Sequence, residues 1–324
     1  MSFLKPRFKV SIGPSTFEPG GLELIDLEVS VSMDSYLDQV KATFTHTPKT
    51  LRLRRGDEIS VELGYEKGLK KVFKGVVKEV HVGTSKVKVV GYNDSHKLLE
   101  LRVDQTYEGQ SAGSIVSDLA SRAGVSVEEV MDGLSFSQYV VDKRKSAYHH
   151  IRDLALKCGF DAYFNPNGEL VFKRYEEKDV HEAHYGKNLI DVEVYEVEPL
   201  ISGVVVYGES PASFKGADTS HWLAKREVEG SSGSGIKLSV YDPTVKDKDS
   251  AEKVAEALLR ELVRAVKGYV KIVGRSEVKL GDTVEIKGVP YDAANGKYQV
   301  RTVEHVFNVD EGFTTSIHWR RKSE

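Results

Sequence analysis

Between residues 51 and 90 apolar and polar positions alternate with the two-residue period of strands that keep one wet face. Ile59, Val61 and Leu63 interleave with Ser60 and Glu62, and the pattern returns over 72–82 and 87–90. Glu66-Lys67-Gly68 and Gly83-Thr84-Ser85 separate these runs as turns, and Gly56-Asp57 stands just before the first of them. Strands joined by such short loops form a meander that curls into a barrel or sandwich. Upstream, 3–10 reads as an opening strand, and 22–31 with 39–45 as a strand pair. The helical period appears later. Apolar residues at Ile115, Val116, Leu119, Ala120 and Ala123 predict a helix over 111–123 ending at Gly124; 127–131 reads as another turn or two of helix. A second helix is predicted over 146–158, stopped by Gly159. The longest is predicted over 250–266, with Asp249 and Glu252 as a capping box and Gly268 as its stop. A hairpin turns at Asn165-Pro166-Asn167-Gly168, and 204–207 is a buried strand. The stretches 208–221 and 230–235 read as loops.

The β-pattern occurs twice. Lys279-Leu280-Gly281-Asp282-Thr283-Val284 echoes Arg54-Arg55-Gly56-Asp57-Glu58-Ile59, and Leu189-Ile190-Asp191-Val192-Glu193-Val194 echoes Leu24-Ile25-Asp26-Leu27-Glu28-Val29. The two echoes come in the same order with offsets of 225 and 165 residues, so the later copy carries an insertion of 60 residues. This predicts a duplicated β-domain: residues 1–100, a small α+β module over 101–185, and a second β-domain over 186–324 that carries the long helix. The fold class expected is mainly β with α+β insertions.

Composition narrows the function. The 324 residues carry 46 basic and 49 acidic side chains, a net charge of −3, so total charge does not call for nucleic acid. One cysteine, Cys158, excludes an internal disulfide framework and fits a reducing compartment. The N-terminus lacks a signal-peptide apolar run, and no segment approaches ~20 consecutive apolar residues.

Candidate chemistry is sparse. Gly109-Gln110-Ser111-Ala112-Gly113 matches the nucleophile elbow of serine hydrolases, but the elbow follows a buried apolar strand of a parallel sheet, whereas 105–108 is polar. Ser111 is better read as a helix N-cap. His149 and His150 point about 100° apart on a helix and do not share one ion unaided; a solvated or capping role fits them, with Asp153 as a partner for either. Cys158 lies on an apolar helix face as core. The basic runs Arg52, Arg54, Arg55 and Lys143-Arg144-Lys145, and the end Arg320-Arg321-Lys322, read as solvated faces or partner salt bridges. Residues 114–130 share a helix-plus-turn pattern with peptidoglycan-binding lysin motifs, once and without their flanking strands. No residue is assigned as catalytic, cofactor-binding or metal-binding.

The order of elements resembles the baseplate hub family of contractile phage tails: the phage late control gene D protein and the N-terminal hub part of VgrG-like spike proteins of type VI secretion. The resemblance is carried by Arg55-Gly56-Asp57 with the following strand, Val72-Phe73-Lys74-Gly75-Val76-Val77, Val89-Val90-Gly91-Tyr92-Asn93-Asp94, the helix 114–124 and the helix-hairpin 146–172. It spans nearly the whole chain. It implies two tube-type β-barrel domains per subunit and a homotrimer whose six β-domains form a pseudo-six-fold ring. That ring would join a hexameric tail tube to a trimeric spike in a virion or injection-machine baseplate assembled in the host cytoplasm. The implied partners are the chain itself, the tail tube protein, the spike protein and other baseplate proteins, with no cofactor, no membrane insertion and no specific nucleic-acid binding. Helix 250–266 and the module are expected outside a polar channel. VgrG-type members continue into a needle, whereas this sequence stops at Glu324, so the puncturing tip is expected on a separate protein. The competing expectation is a cell-wall-degrading or peptidoglycan-binding tail protein.

Overall fold

A computed structural model describes residues 5–21, 23–66, 68–196, 198–208, 228–263, 266–308 and 312–320. The first β-unit comprises β1 (Pro6–Ile12), β2 (Ser15–Phe17), β3 (Leu24–Ser32), β4 (Gln39–Thr45), β5 (Glu58–Tyr65), β6 (Gly68–Val82) and β7 (Lys86–Tyr92). Their inward positions, among them Val10, Leu27, Val29, Phe44, Val61 and Val89, form one buried cluster, the outcome of the alternating pattern.

The middle of the chain has its own core. Helix α1 (Ser95–Glu100) leads into β8 (Gln105–Ser111), α2 (Ala112–Ala123), β9 (Val127–Val130), β10 (Ser135–Val141), α3 (Ala147–Cys158), β11 (Asp161–Phe164) and β12 (Leu170–Lys173). Ile115, Leu119, Ile151, Leu154, Phe164 and Phe172 are buried together. Ser111 and Ser146 cap α2 and α3, and Gly124 and Gly159 end them in the left-handed region. One expectation differs here. Residues 127–130 form a strand parallel to β12 rather than a helical turn, because the hairpin offers them a ladder. The polar 105–108 segment is also a strand, paired with β10 through Tyr107↔Tyr139.

The second β-unit comprises β13 (Val180–His184) and β14 (Leu189–Glu196), then, after an insertion, β18 (Val266–Val273), β19 (Thr283–Lys287), β20 (Gly296–Asn308) and β21 (Gly312–Arg320). β13 lies in the stretch the sequence reading gave to the module, yet it pairs with β19. The insertion holds β15 (Gly203–Gly208), β16 (Val228–Gly233), β17 (Lys237–Asp242) and α4 (Lys248–Leu262). These make a separate three-stranded sheet whose Val204 and Val206 pack on Ala251, Val254 and Ala255 of α4. Residues 230–233, expected as a loop, are strand β16. The loop expected over 208–221 falls, from 209 on, outside the described residues. Helix α4 is capped by Asp247, whose side chain accepts from Ser250 N–H, not by Asp249. It ends before Val266, which together with Gly268 belongs to β18. No helix among the described residues is long and apolar enough to cross a membrane.

The two β-units repeat each other strand by strand. One runs β3-β4-β7-β6-β5-β1, the other β14-β18-β21-β20-β19-β13. The registers match. Ile25 is the extra residue of a bulge against β4, as Ile190 is against β18. Lys78 is the extra residue against β7, as Arg301 is against β21. The Gly-Asp turns match as well. Gly56 N–H donates to Val77 O, and Val77 N–H to Asp57 O, both at 2.9 Å; Gly281, Val300 and Asp282 repeat this at 3.1 and 2.9 Å. Asp57 accepts from Arg54 N–H and Asp282 from Lys279 N–H, each at 2.9 Å. The outermost strand breaks the symmetry, since β1 is antiparallel to β5 while β13 is parallel to β19.

Candidate assembly interface

The two units meet edge to edge. β20 has 13 residues; its first half pairs with β19 and its second half turns a free side to β3, so both units belong to one 13-stranded sheet. The join is antiparallel, from Thr302↔Ser32 to Asn308↔Asp26. On the core side Val303 faces Val31, His305 faces Val29 and Phe307 faces Leu27. Phe307 also packs edge-on against Phe8 at 4.9 Å, and the Ser32 and Thr302 hydroxyls bond at 2.6 Å. Burial pushes the His305 imidazole down to about 3, so it is neutral, with Nδ1 3.0 Å from Thr315 Oγ1.

Arg301, at the β20 bulge, fastens three parts of the chain. It is buried and donates to Asp161 Oδ1 of β11 at 2.9 Å and to Asp34 Oδ1 of the β3–β4 turn at 2.8 Å. Arg320 joins Asp34 to Glu261 of α4 at 3.0 and 2.8 Å. Burial would raise the Asp34 pKa, but the Arg301, Arg320 and Arg152 charges outweigh it and hold it low. Arg152 of α3 reaches back to the Met33 and Ser35 carbonyls at 2.8 and 3.1 Å. In the same turn Asp38 is fully buried, accepting from Ser32 N–H at 2.8 Å and from Asn93 Nδ2 at 2.6 Å, and burial raises it to about 7.

Among the strand edges left open in the described residues, two belong to the large sheet that the repeats share and face away from the internal join. β14 pairs with β18 alone, and β6 beyond Val77 pairs with β7 alone. Both expose apolar side chains: Ile190 is 52% and Tyr195 49% accessible on β14, and Val82 is 60% accessible at the end of β6. Open edges with apolar side chains are the ordinary substrate of strand-to-strand association.

The residues singled out from sequence do not converge. Ser111 lies at the end of a two-stranded antiparallel sheet; its hydroxyl donates to Asp132 Oδ1 at 2.9 Å and accepts from Ser114 N–H at 3.1 Å. His149 Nδ1 bonds Ser146 Oγ at 2.7 Å and its ring stacks on Tyr36, whereas His150 is buried with Nε2 3.2 Å from the Asp142 carbonyl. Asp153 pairs with neither histidine; it meets Lys157 at 3.2 Å and the Tyr139 hydroxyl at 3.2 Å. Among the described residues no three His, Cys, Asp or Glu side chains gather as a metal site. Cys158 is half-buried against the module core, its thiol pushed up to about 11 by burial. Arg320, expected in a solvated tail, is the end of β21 and holds two ion pairs, while 321–324 lie outside the described residues. Arg301, Asp34 and Asp161 escaped the sequence reading because they are distant in the chain; the one available signal was Arg301 lying on the second copy of the β-pattern.

The fold is one that phage tail proteins have. Over 98% of this chain and 98% of the other, it superposes on the 43 kDa tail protein of prophage MuSo2 from Shewanella oneidensis with a TM-score of 0.75 at 12% identity. A tail protein from Neisseria meningitidis MC58 matches over 98% and 96% of the two chains with a TM-score of 0.74 at 10% identity. The Escherichia coli c3393 protein, a type VI secretion component with structural similarity to the T4 bacteriophage tail proteins gp27 and gp5, matches over 98% and 77% with a TM-score of 0.64 at 11% identity. No protein-family model matches the sequence, and no curated protein does.

Proposed function

We infer that the chain is a structural tail protein: the baseplate hub of a phage tail or of a related contractile injection machine. Three copies form a ring of six near-equivalent β-units, which matches a six-fold tail tube on one face and a three-fold spike on the other. The observation that carries this reading is the repeated register, down to the bulges at Ile25 and Ile190 and at Lys78 and Arg301. A chain with two such units and a ready-made join between them makes half the contacts of a six-membered ring within itself. The shared fold with tail proteins supports the same reading. We read residues 1–100 and 186–324 as the tube-type units and 101–185 as the module, with 180–184 lent to the second unit's sheet. The module and α4 then lie outside a polar channel. The partners are the chain itself, the tube protein, the spike protein and other baseplate proteins, and the work is done by surfaces rather than by a catalytic group.

Sedimentation of the purified chain alone, and mixed with a trimeric tail-spike protein, tests this. The expected species is a trimer of the 36.0 kDa chain, formed alone or on mixing. A chain that stays monomeric in both conditions, or a dimer with two-fold symmetry, overturns the hub reading.

A further inference from the structure

The join between β3 and β20 specifies how one copy meets the next. In the repeat, β14 takes the place of β3 and β6 takes the place of β20. The strand that β3 occupies beside β20 has no counterpart beside β6: among the described residues the side of 78–82 away from β7 carries no strand. Likewise β14, unlike β3, pairs with no second strand among the described residues; Glu196 at its end meets the Tyr291 side chain. One strand edge without a strand partner therefore lies on each half of the chain, and each is the partner that the other half's equivalent already has.

We propose that β14 of one copy adds antiparallel to the 79–82 segment of β6 in the next copy, head to tail, in the register of the internal join. The proposal rests on the ring reading above and supplies its interface. The bulges fix the register. Ile25 corresponds to Ile190 and Lys78 to Arg301, so the internal pairs Val31↔Val303, Ser30↔Glu304 and Val29↔His305 translate into Glu196 opposite Val80, Tyr195 opposite His81 and Val194 opposite Val82. The placement covers the exposed Val82 with Val194 and sets the exposed Tyr195 over His81. Charge agrees: β14 carries Asp191, Glu193 and Glu196 and no basic residue, whereas the β6–β7 hairpin from 78 to 88 carries Lys78, Lys86 and Lys88 against a single acid, Glu79. The contact is heterologous, with different strands on its two sides, so it closes into a ring only at the rotation that three copies supply.

Cysteine pairing reads the register directly, because residues directly opposite across an antiparallel ladder lie about 4.5–5.5 Å apart at Cα, within disulfide reach. Val82→Cys and Val194→Cys chains are made singly, mixed and mildly oxidised; His81→Cys with Tyr195→Cys, both at exposed positions, is the second pair should a valine change disturb folding. Cross-linked pairs are expected in each mixture and in neither single variant alone. The doubly substituted chain is expected to give covalent species that stop at three copies. Native trimers without cross-links at either pair overturn the strand pairing while leaving the ring reading standing. Cross-linking of a single variant to itself, or a covalent ladder running past three copies, overturns the head-to-tail closure. Chains that remain monomeric throughout, with and without the spike protein, sink both.

Discussion

Arg301 is a buried side chain on which the second β-unit, the module and the β3–β4 turn converge. A buried guanidinium shared by Asp34 and Asp161 is costly to strand, because removing it leaves two carboxylates facing each other with reduced solvation. Arg301→Ala is therefore expected to lower unfolding stability by about 3–5 kcal/mol, read from the shift of a denaturant midpoint; a loss below about 1 kcal/mol, the level of an exposed pair, contradicts the account. Asp38 and His305 give the pH dependence. Asp38 has a raised folded pKa of about 7, so its contribution is fully present at low pH and is lost as pH rises toward 7. His305, lowered to about 3, does the opposite: its contribution is present above the unfolded histidine value and is lost as pH falls. The two slopes oppose each other between about pH 4 and 6.5, the range set by the unfolded carboxyl and imidazole values. Removing one exposes the other. The stability of Asp38→Asn relative to the parent is expected to rise with pH between 4 and 7 by about 1 kcal/mol per pH unit, on top of a constant loss from setting an amide donor against Asn93 Nδ2. A difference that does not change with pH refutes it.

At the level of elements, the two Gly-Asp turns are a natural control experiment. Gly56 and Gly281 both have positive φ, +92° and +82°, so alanine is strained at either by about 1–2 kcal/mol. Their surroundings differ. A Cβ at 56 meets nothing within 4 Å, while one at 281 falls 2.6 Å from the Tyr163 hydroxyl of β11. Gly281→Ala is expected to cost more than Gly56→Ala by a further 1 kcal/mol or so, the scale of mild overpacking, measured as the difference between two denaturation midpoints; equal losses contradict the packing of the module against the second unit. The helices of the module were legible as elements for the same local reason that they are stable: Ser111 and Ser146 stand at the caps and Gly124 and Gly159 at the stops. The start and end of α4 were not. Asp247 rather than Asp249 makes the cap, and the chain leaves the helix for β18 because β14 and β21 both pair with that segment.

Across the whole molecule, the shared sheet makes two repeats behave as one body. The β3–β20 ladder, the Tyr65 hydroxyl on the Gly274 carbonyl at 3.0 Å, and Phe313 buried in the first unit's core all cross between repeats. Unfolding of a Trp222→Phe chain, which keeps Trp319 as its one tryptophan, followed by backbone circular dichroism and by the near-ultraviolet signal of Trp319, stacked on Tyr298 at 3.8 Å, is expected to give coincident transitions. Trp319 melting apart from the bulk of the sheet means that the join does not couple the repeats.

What the sequence determined by itself is whatever depends on neighbours a few positions away. The two-residue period marked the strands, the caps marked α2 and α3, and the echoes Leu24-Ile25-Asp26 against Leu189-Ile190-Asp191 and Gly56-Asp57 against Gly281-Asp282 marked the repeat. Segments whose state is set by a distant partner left no local mark: 127–130, expected as a helical turn, is a strand because β12 pairs with it, and 230–233, expected as a loop, because β15 does. Tertiary structure alone decided that β20 outgrows β19 and takes up β3, that Arg301 sits between Asp34 and Asp161, and that β14 and the end of β6 are left as edges. The physical reason is that a ladder bond or a buried ion pair is satisfied in space, whatever the distance along the chain, so its members carry no mark in the local pattern.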